Sequence, residues 1–151
     1  MDPSPGRTSR QRIGDSGEEL VAHHLLSQHW QIVAQQWRCR WGELDVVAHK
    51  GSTLAFVEVK TRAVADGIPL HLAQQFRDPS GLGAIGSRKR EKIIKTAQAF
   101  LATHPGWTEW HCRFDIALVQ HRDPALGATS SSGIPGWSLY RYIPAAFEVE
   151  F

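Results

Sequence analysis

Two cysteines, Cys39 and Cys112, are the only thiols in 151 residues. They are too few for a disulfide framework or a zinc centre of their own, and in a reducing compartment they read as small buried hydrophobes. The chain also lacks any run approaching the roughly 18 apolar residues that a membrane span needs. Its opening stretch, MDPSPGRTSRQR, has no apolar core of the kind a secretory signal carries. A cytoplasmic protein without membrane contact is expected. Excess charge is missing too: 17 Lys and Arg against 15 Asp and Glu leave +2, so the total does not mark a nucleic-acid binder. No internal repeat is visible, which excludes repeat architectures.

What is present suits one globular unit, with 42% hydrophobic residues and enough length for a real core. Residues 1–12, rich in Pro, Ser, Gly and Arg, read as a loose arm, and residues 13–151 as a single domain. In DSGEELVAHHLLSQHW, Asp15 or Ser16 is the expected N-cap of a first helix. Ile13, Gly17, Leu20, Val21, His24 and Leu25 form its buried stripe, with Glu18 beside the stripe. QIVAQQWRCRW offers one or two short strands, and GELDVVA with TLAFVEVKTR reads as a β-hairpin turning at Gly51.

A loop insert is expected over about 63–86, then a second helix in SRKREKIIKTAQAFLATHPG, capped by Ser87 and ended by Pro105 and Gly106. Its stripe is Ile93, Ile94, Ala97, Phe100 and Leu101, and its opposite face is basic. HCRFDIALVQ reads as a strand. A low-complexity loop spans about 121–136, and WSLYRYI is a strand that pairs back. The order predicts an α/β fold with a central mixed sheet between helices.

The hairpin carries the chemistry. Side chains alternate, so Glu43, Asp45 and Val47 share one face of its first strand, and Leu54, Phe56, Glu58 and Lys60 one face of its second. Leu44, Val46 and Ala48, with Ala55, Val57 and Val59, make the other face. If Asp45 pairs with an even-numbered residue the acidic sets coincide, and a one-residue slip would separate them. Neighbouring carboxylates in a half-dry place repel unless a cation lies between them. Lys60 is one such cation and Mg²⁺, which prefers hard oxygen ligands, is another. A salt bridge among Asp45, Glu58 and Lys60 is the plainer alternative.

GELD followed by FVEVK resembles the bipartite motif of the PD-(D/E)XK nuclease superfamily, with Gly42 where many members have proline. GDSGEELVAHHLL, RCRWGELDVVA, LAFVEVKTR, SRKREKIIKTAQAFL and RFDIALV, from about Ile13 to Val119, follow in order the blocks of the bacterial YraN family of uncharacterised, endonuclease-like proteins. The chain is similar, more distantly, to archaeal Holliday-junction resolvases. The resemblance implies a restriction-endonuclease-like core in which Asp45, Glu58 and the Val59 carbonyl hold Mg²⁺ or Mn²⁺. It also implies that Glu18 reaches the same site from the first helix and that Lys60 positions the attacking water and stabilises the phosphate. Asp115 belongs to one of these blocks but reads as a structural hydrogen-bonding residue. Trp137, Tyr140 and Tyr142 read as core or dimer aromatics.

Arg62 and the basic face of Arg88, Lys89, Arg90, Lys92 and Lys95 are the candidate phosphate contacts, and charge of this kind reads no base sequence. The leading reading is a metal-dependent DNA endonuclease or resolvase-like enzyme of repair, recombination or uptake, with DNA as partner. Cutting two strands symmetrically would suit a homodimer. Two further readings stand beside it. One is a non-catalytic nucleic-acid-binding module acting through protein partners of DNA processing, and the other is a structural ion-pair cluster.

Overall fold

Strand-forming residues follow the first helix in three consecutive runs, and they pair in chain order. The computed structural model describes residues 9–64, 86–122 and 136–147, with the side chains of 9–16, 62–64 and 122 left out. Helix α1 (Ser9–Ser27) leads into β1 (Gln31–Cys39), β2 (Gly42–Lys50) and β3 (Thr53–Val64). Helix α2 (Ser87–Thr103) and a 3-10 turn (Pro105–Trp107) precede β4 (His111–Arg122) and β5 (Trp137–Phe147). The strands form one five-stranded sheet in the order β1-β2-β3-β4-β5. β3 and β4 are parallel, which requires a crossover, and α2 lies on it. The other neighbours are antiparallel. This is the expected α/β fold, and it is compatible with a restriction-endonuclease-like core. No helix among the described residues is long and apolar enough to cross a membrane.

The sheet separates two cores. On one face Leu20, Val21 and Leu25 of α1 cover Val46, Ala48, Ala55, Val57, Ala117, Val119 and Trp137. On the other, Ile93, Ala97, Phe100 and Leu101 of α2 cover Val47, Leu54, Phe56, Phe114 and Ile116. The β2–β3 register pairs Val47 with Phe56 and Val46 with Val57, so odd positions of β2 meet even positions of β3. Leu44 departs from its expected partners and packs on the α2 side. The pairing of β2 with β3 ends at Val46, while β1 carries Gln36 at φ 50. Alternation is lost where the strand leaves its neighbour and twists.

Helix boundaries also differ from expectation. α1 begins at Ser9, so Asp15 and Ser16 lie inside it rather than at its cap. Gly86 holds the N-cap position of α2, and Ser87 is its first helical residue. Ile94 is half-buried, while Thr96 is buried and donates its hydroxyl to the Lys92 carbonyl at 2.7 Å, the back-bond that lets a polar residue sit on a packed helix face. Trp137 is core, as expected. Cys39 and Cys112 are free thiols, half-buried rather than buried. Residues 1–8, most of the insert, whose Gln74, Gln75 and Arg77 the sequence offers as substrate contacts or a lid, and most of the loop expected at 121–136 lie outside the described residues.

Asp115 is wholly buried and accepts hydrogen bonds from Arg113 Nε and Nη2, each at 2.9 Å, from the Tyr142 hydroxyl, and from the Ala145 amide at 2.9 Å. Ala145 has φ 49, and the β4–β5 register shifts between Phe114 and Ile116. The carboxylate thus takes up an amide at a bulge, the structural role expected for it.

At Gly17 α1 packs directly on β3: a Cβ there would fall 2.5 Å from Thr61 Oγ1. An alanine in a helix ordinarily stabilises by about 1 kcal/mol over glycine. Gly17→Ala is expected to do the opposite, lowering stability by about 1–3 kcal/mol through overpacking, and a Thr61→Ala background should recover much of that loss. Urea midpoints of the two single variants and the double variant check it.

Candidate metal centre

A β-strand residue directs its own N–H and C=O to the same neighbouring strand. Val59 turns this edge of its backbone toward β2, but its amide finds no strand carbonyl and donates to Asp45 Oδ2 at 2.8 Å. The Val59 carbonyl therefore faces the same place. Carrying the register one step past Val46 and Val57 sets Asp45 across from Glu58, as the hairpin alternation requires.

Glu18 comes to this point from α1. Carboxylate oxygens of Glu18, Glu43 and Asp45 lie within 4.8 Å of one another. Glu58 joins them along a cleft of about 390 Å³ lined by Gly42, Glu43, Asp45, Glu58, Lys89, Lys92, Ile93 and Thr96. Four carboxylates thus gather where β2 and β3 part. Glu43 was assigned no role on sequence grounds, although it shares the face of Asp45 two residues on. It also accepts from Arg38 Nε at 2.7 Å.

Burial, followed by the negative charge of Glu58, drives the Asp45 carboxyl from its ordinary value of 3.8 up to about 9, against the pull of the Val59 amide; Glu18 adds to the rise. Lys89 Nζ sits 2.7 Å from Glu58 Oε1. Its own burial disfavours the ammonium, but the hydrogen bond and charge of Glu58, with Asp45 and Glu43 behind, outweigh that and raise its pKa. The lysine in contact with the acids is therefore one expected to meet phosphates.

Lys60 lies two residues beyond Glu58 and in register with Leu118, which packs on the α2 side. It is half-buried, on the expected face, and not among the residues lining the cleft. Of the other basic candidates, Lys92 lines the cleft, Arg88 and Lys95 are exposed, and Arg90 approaches the Phe147 ring at 5.8 Å. The side chain of Arg62 is outside the described residues.

The donor set fits a hard divalent cation. Glu18, Glu43, Asp45 and Glu58 offer carboxylate oxygens, the Val59 carbonyl faces the same place, and the rise of the Asp45 pKa, caused first by burial and then by the Glu58 charge, is one that a cation would relieve.

Sequence comparison agrees in extent. A family model described as "Uncharacterised protein family UPF0102" matches residues 17–119. A UPF0102 protein of Synechococcus sp. (strain JA-3-3Ab) is 46% identical over 149 residues, covering 99% of each chain. A UPF0102 protein of Thermosynechococcus vestitus is 41% identical over 91% of this chain and 95% of its own. One from Trichormus variabilis is 40% identical over 93% of this chain and 97% of its own.

Without metal, folded Asp45 keeps a proton that the unfolded chain releases, so its effect on stability worsens as pH rises from about 4 to about 9. Asp45→Asn keeps an acceptor for the Val59 amide and carries no charge. It is expected to stabilise the metal-free protein by about 1–3 kcal/mol at pH 8, the scale of an uncompensated buried polar group, and by little at pH 4. Denaturant titrations at both pH values in EDTA check this, and Mg²⁺ should narrow the gap at pH 8.

Proposed function

Proceeding from the fact that the chain belongs to the UPF0102 family, we propose that it is a metal-dependent phosphodiester hydrolase acting on DNA. One observation carries the reading: carboxylates of β2 and β3 line one cleft whose other wall bears Lys89 and Lys92, and a Glu18 oxygen from α1 lies within 4.8 Å of those of Glu43 and Asp45. Asp115 shows how a structural carboxylate is treated in the same chain, with a donor for each oxygen. Asp45 is placed among other acids instead.

Asp45 and Glu58, with Glu18 and Glu43 around them and the Val59 carbonyl alongside, would hold Mg²⁺ or Mn²⁺. Such a cation lowers the pKa of a coordinated water and neutralises charge on phosphate oxygens. The protein's own groups do the rest. The Val59 amide fixes the Asp45 carboxyl group by donating to Oδ2. Lys92 lies on the α2 wall, where a phosphate backbone entering the cleft would pass. Lys89 balances Glu58 until a substrate phosphate offers it a second anion. Lys60, on the same face of β3, is assigned to the reacting phosphate, where a preorganised cation offsets developing negative charge.

These contacts address the backbone and carry no base information. The substrate is therefore selected by strand structure, and repair, recombination or uptake are the processes such an enzyme serves. A binding module without catalysis is the second reading. It is favoured by the Lys89–Glu58 pair and by the absence of Lys60 from the cleft lining.

Labelled duplex, single-stranded, flap and four-way-junction DNAs, incubated with Mg²⁺ or Mn²⁺, should be cut, and EDTA should stop the reaction. Asp45→Ala and Lys60→Ala should each lower the rate by about 10²–10³-fold, the loss typical of one electrostatic group at a reacting centre, with the fold retained by circular dichroism. Wild-type rates in either variant overturn its assignment. Binding without cutting of any DNA favours the second reading.

A further inference from the structure

Trp41 is one of two large hydrophobic side chains found exposed among the described residues, at 44% accessibility. It occupies the two-residue turn between β1 and β2, since Cys39 pairs with Gly42 across that turn. Its neighbours are cationic. The Arg40 guanidinium lies 4.3 Å from the ring centroid and Lys95 Nζ 5.5 Å from it. The turn also adjoins the cleft. Gly42, the next residue, lines it, and so does Lys92, one helical turn before Lys95. Trp41 precedes Asp45 by four residues, about 13 Å of extended backbone at about 3.3 Å per residue.

The geometry points to Trp41 as a stacking platform for an unpaired base of a DNA strand whose phosphates run past Lys95 and Lys92 into the acidic cleft. This deepens the reading of that cleft as a phosphodiester site and rests on it. Fixed cations beside an exposed indole complement a polyanion that offers flat π-faces, and stacking of this kind tolerates any base. A paired base turns its edge outward rather than its face, so the platform favours single-stranded or frayed DNA over closed duplex. The Arg40 contact does not block it. Arg40 is itself exposed at the turn, and a guanidinium plane can stack on a base as readily as on an indole.

The competing explanation is that Trp41 only staples the turn to α2. The two differ in whether the base matters. With the full chain in Ca²⁺, fluorescence anisotropy would compare a 12-mer of dT with a 12-mer of abasic sugar-phosphate units. Wild-type protein is expected to bind the dT strand roughly tenfold tighter, the effect of one stacked base. Trp41→Ala should lose that preference while binding the abasic strand as before, and Trp41→Phe should keep most of it. A Trp41→Ala protein that still prefers dT, or that weakens equally on both strands, overturns the proposal, as does a wild type that binds neither. The readout needs no cleavage. A protein that shows the base preference yet cuts no DNA would therefore overturn the nuclease reading and leave the platform standing.

Discussion

The hydrogen bond from the Val59 amide to Asp45 stands where a rung of the β2–β3 ladder would otherwise be, and the candidate site is organised around that exchange. A strand carbonyl in the same place would keep β2 and β3 paired and the space between them closed. A side-chain acceptor satisfies the amide while letting the strands part, and the opening admits Glu18 from α1 and exposes Glu58 to α2. Distortion extends to β1, where Gln36 adopts φ 50 one strand away. Departures of this kind in the middle of a sheet are held in place by surrounding structure, and they gather at functional sites. Here the supporting structure is the pair of cores above and below.

Electrostatics separates the two buried carboxylate clusters. Around Asp115, Arg113, Tyr142 and the Ala145 amide complete the hydrogen bonding, and Tyr142 in turn has its pKa raised by burial and then by the Asp115 charge. That cluster is neutralised from within. Around Asp45 the acids lie beside one another as well as beside cations: Lys89 reaches Glu58 and Arg38 reaches Glu43. Burial and the remaining repulsion push the Asp45 carboxyl up to about 9. A purely structural design would be better served by apolar residues of similar volume, so the plain ion-pair reading leaves the fourfold gathering of acids without a purpose.

Much of this was legible because strand side chains alternate wherever β2 and β3 stay paired. The period of two puts Glu58 and Lys60 on one face of their strand, and Asp45 joins them only in a register that the sequence leaves open and that the pairing of Val46 with Val57 supplies. What alternation cannot see is the rotation of a helix packed over the sheet. Lys89 read as a phosphate contact because it lies on a basic face; that it meets Glu58 depends on how α2 is turned over β3, which no local pattern specifies. Thr96 was invisible for a related reason, since its hydroxyl is satisfied within its own helix and it packs like an apolar residue. Glu43 shares the acidic face of Asp45, but the two-carboxylate motif does not include it. The helix starts were misplaced because capping residues are a preference of isolated ends. Asp15 and Ser16 can be absorbed into a helix that continues through Arg10, Gln11 and Arg12.

Gly42 ties the two walls of the cleft together. It sits at φ 150, and a Cβ there would stand 3.1 Å from Thr96 Oγ1, so β2 and α2 approach as closely as they do because the residue has no side chain. Proline, which the superfamily resemblance would put at this position, is locked near φ −65° and could not adopt this backbone. The likeness at that point is therefore one of place in the motif and not of conformation. Its consequence is a change in what the position does. Instead of stiffening the approach to Asp45, it lets the turn bearing Arg40 and Trp41 fold toward α2, where Lys95 meets the indole. The carboxylates on β2 and the lysines on α2 then form facing walls of one groove, and the spacing of those walls is set by a contact between a glycine and a threonine that carries no charge at all.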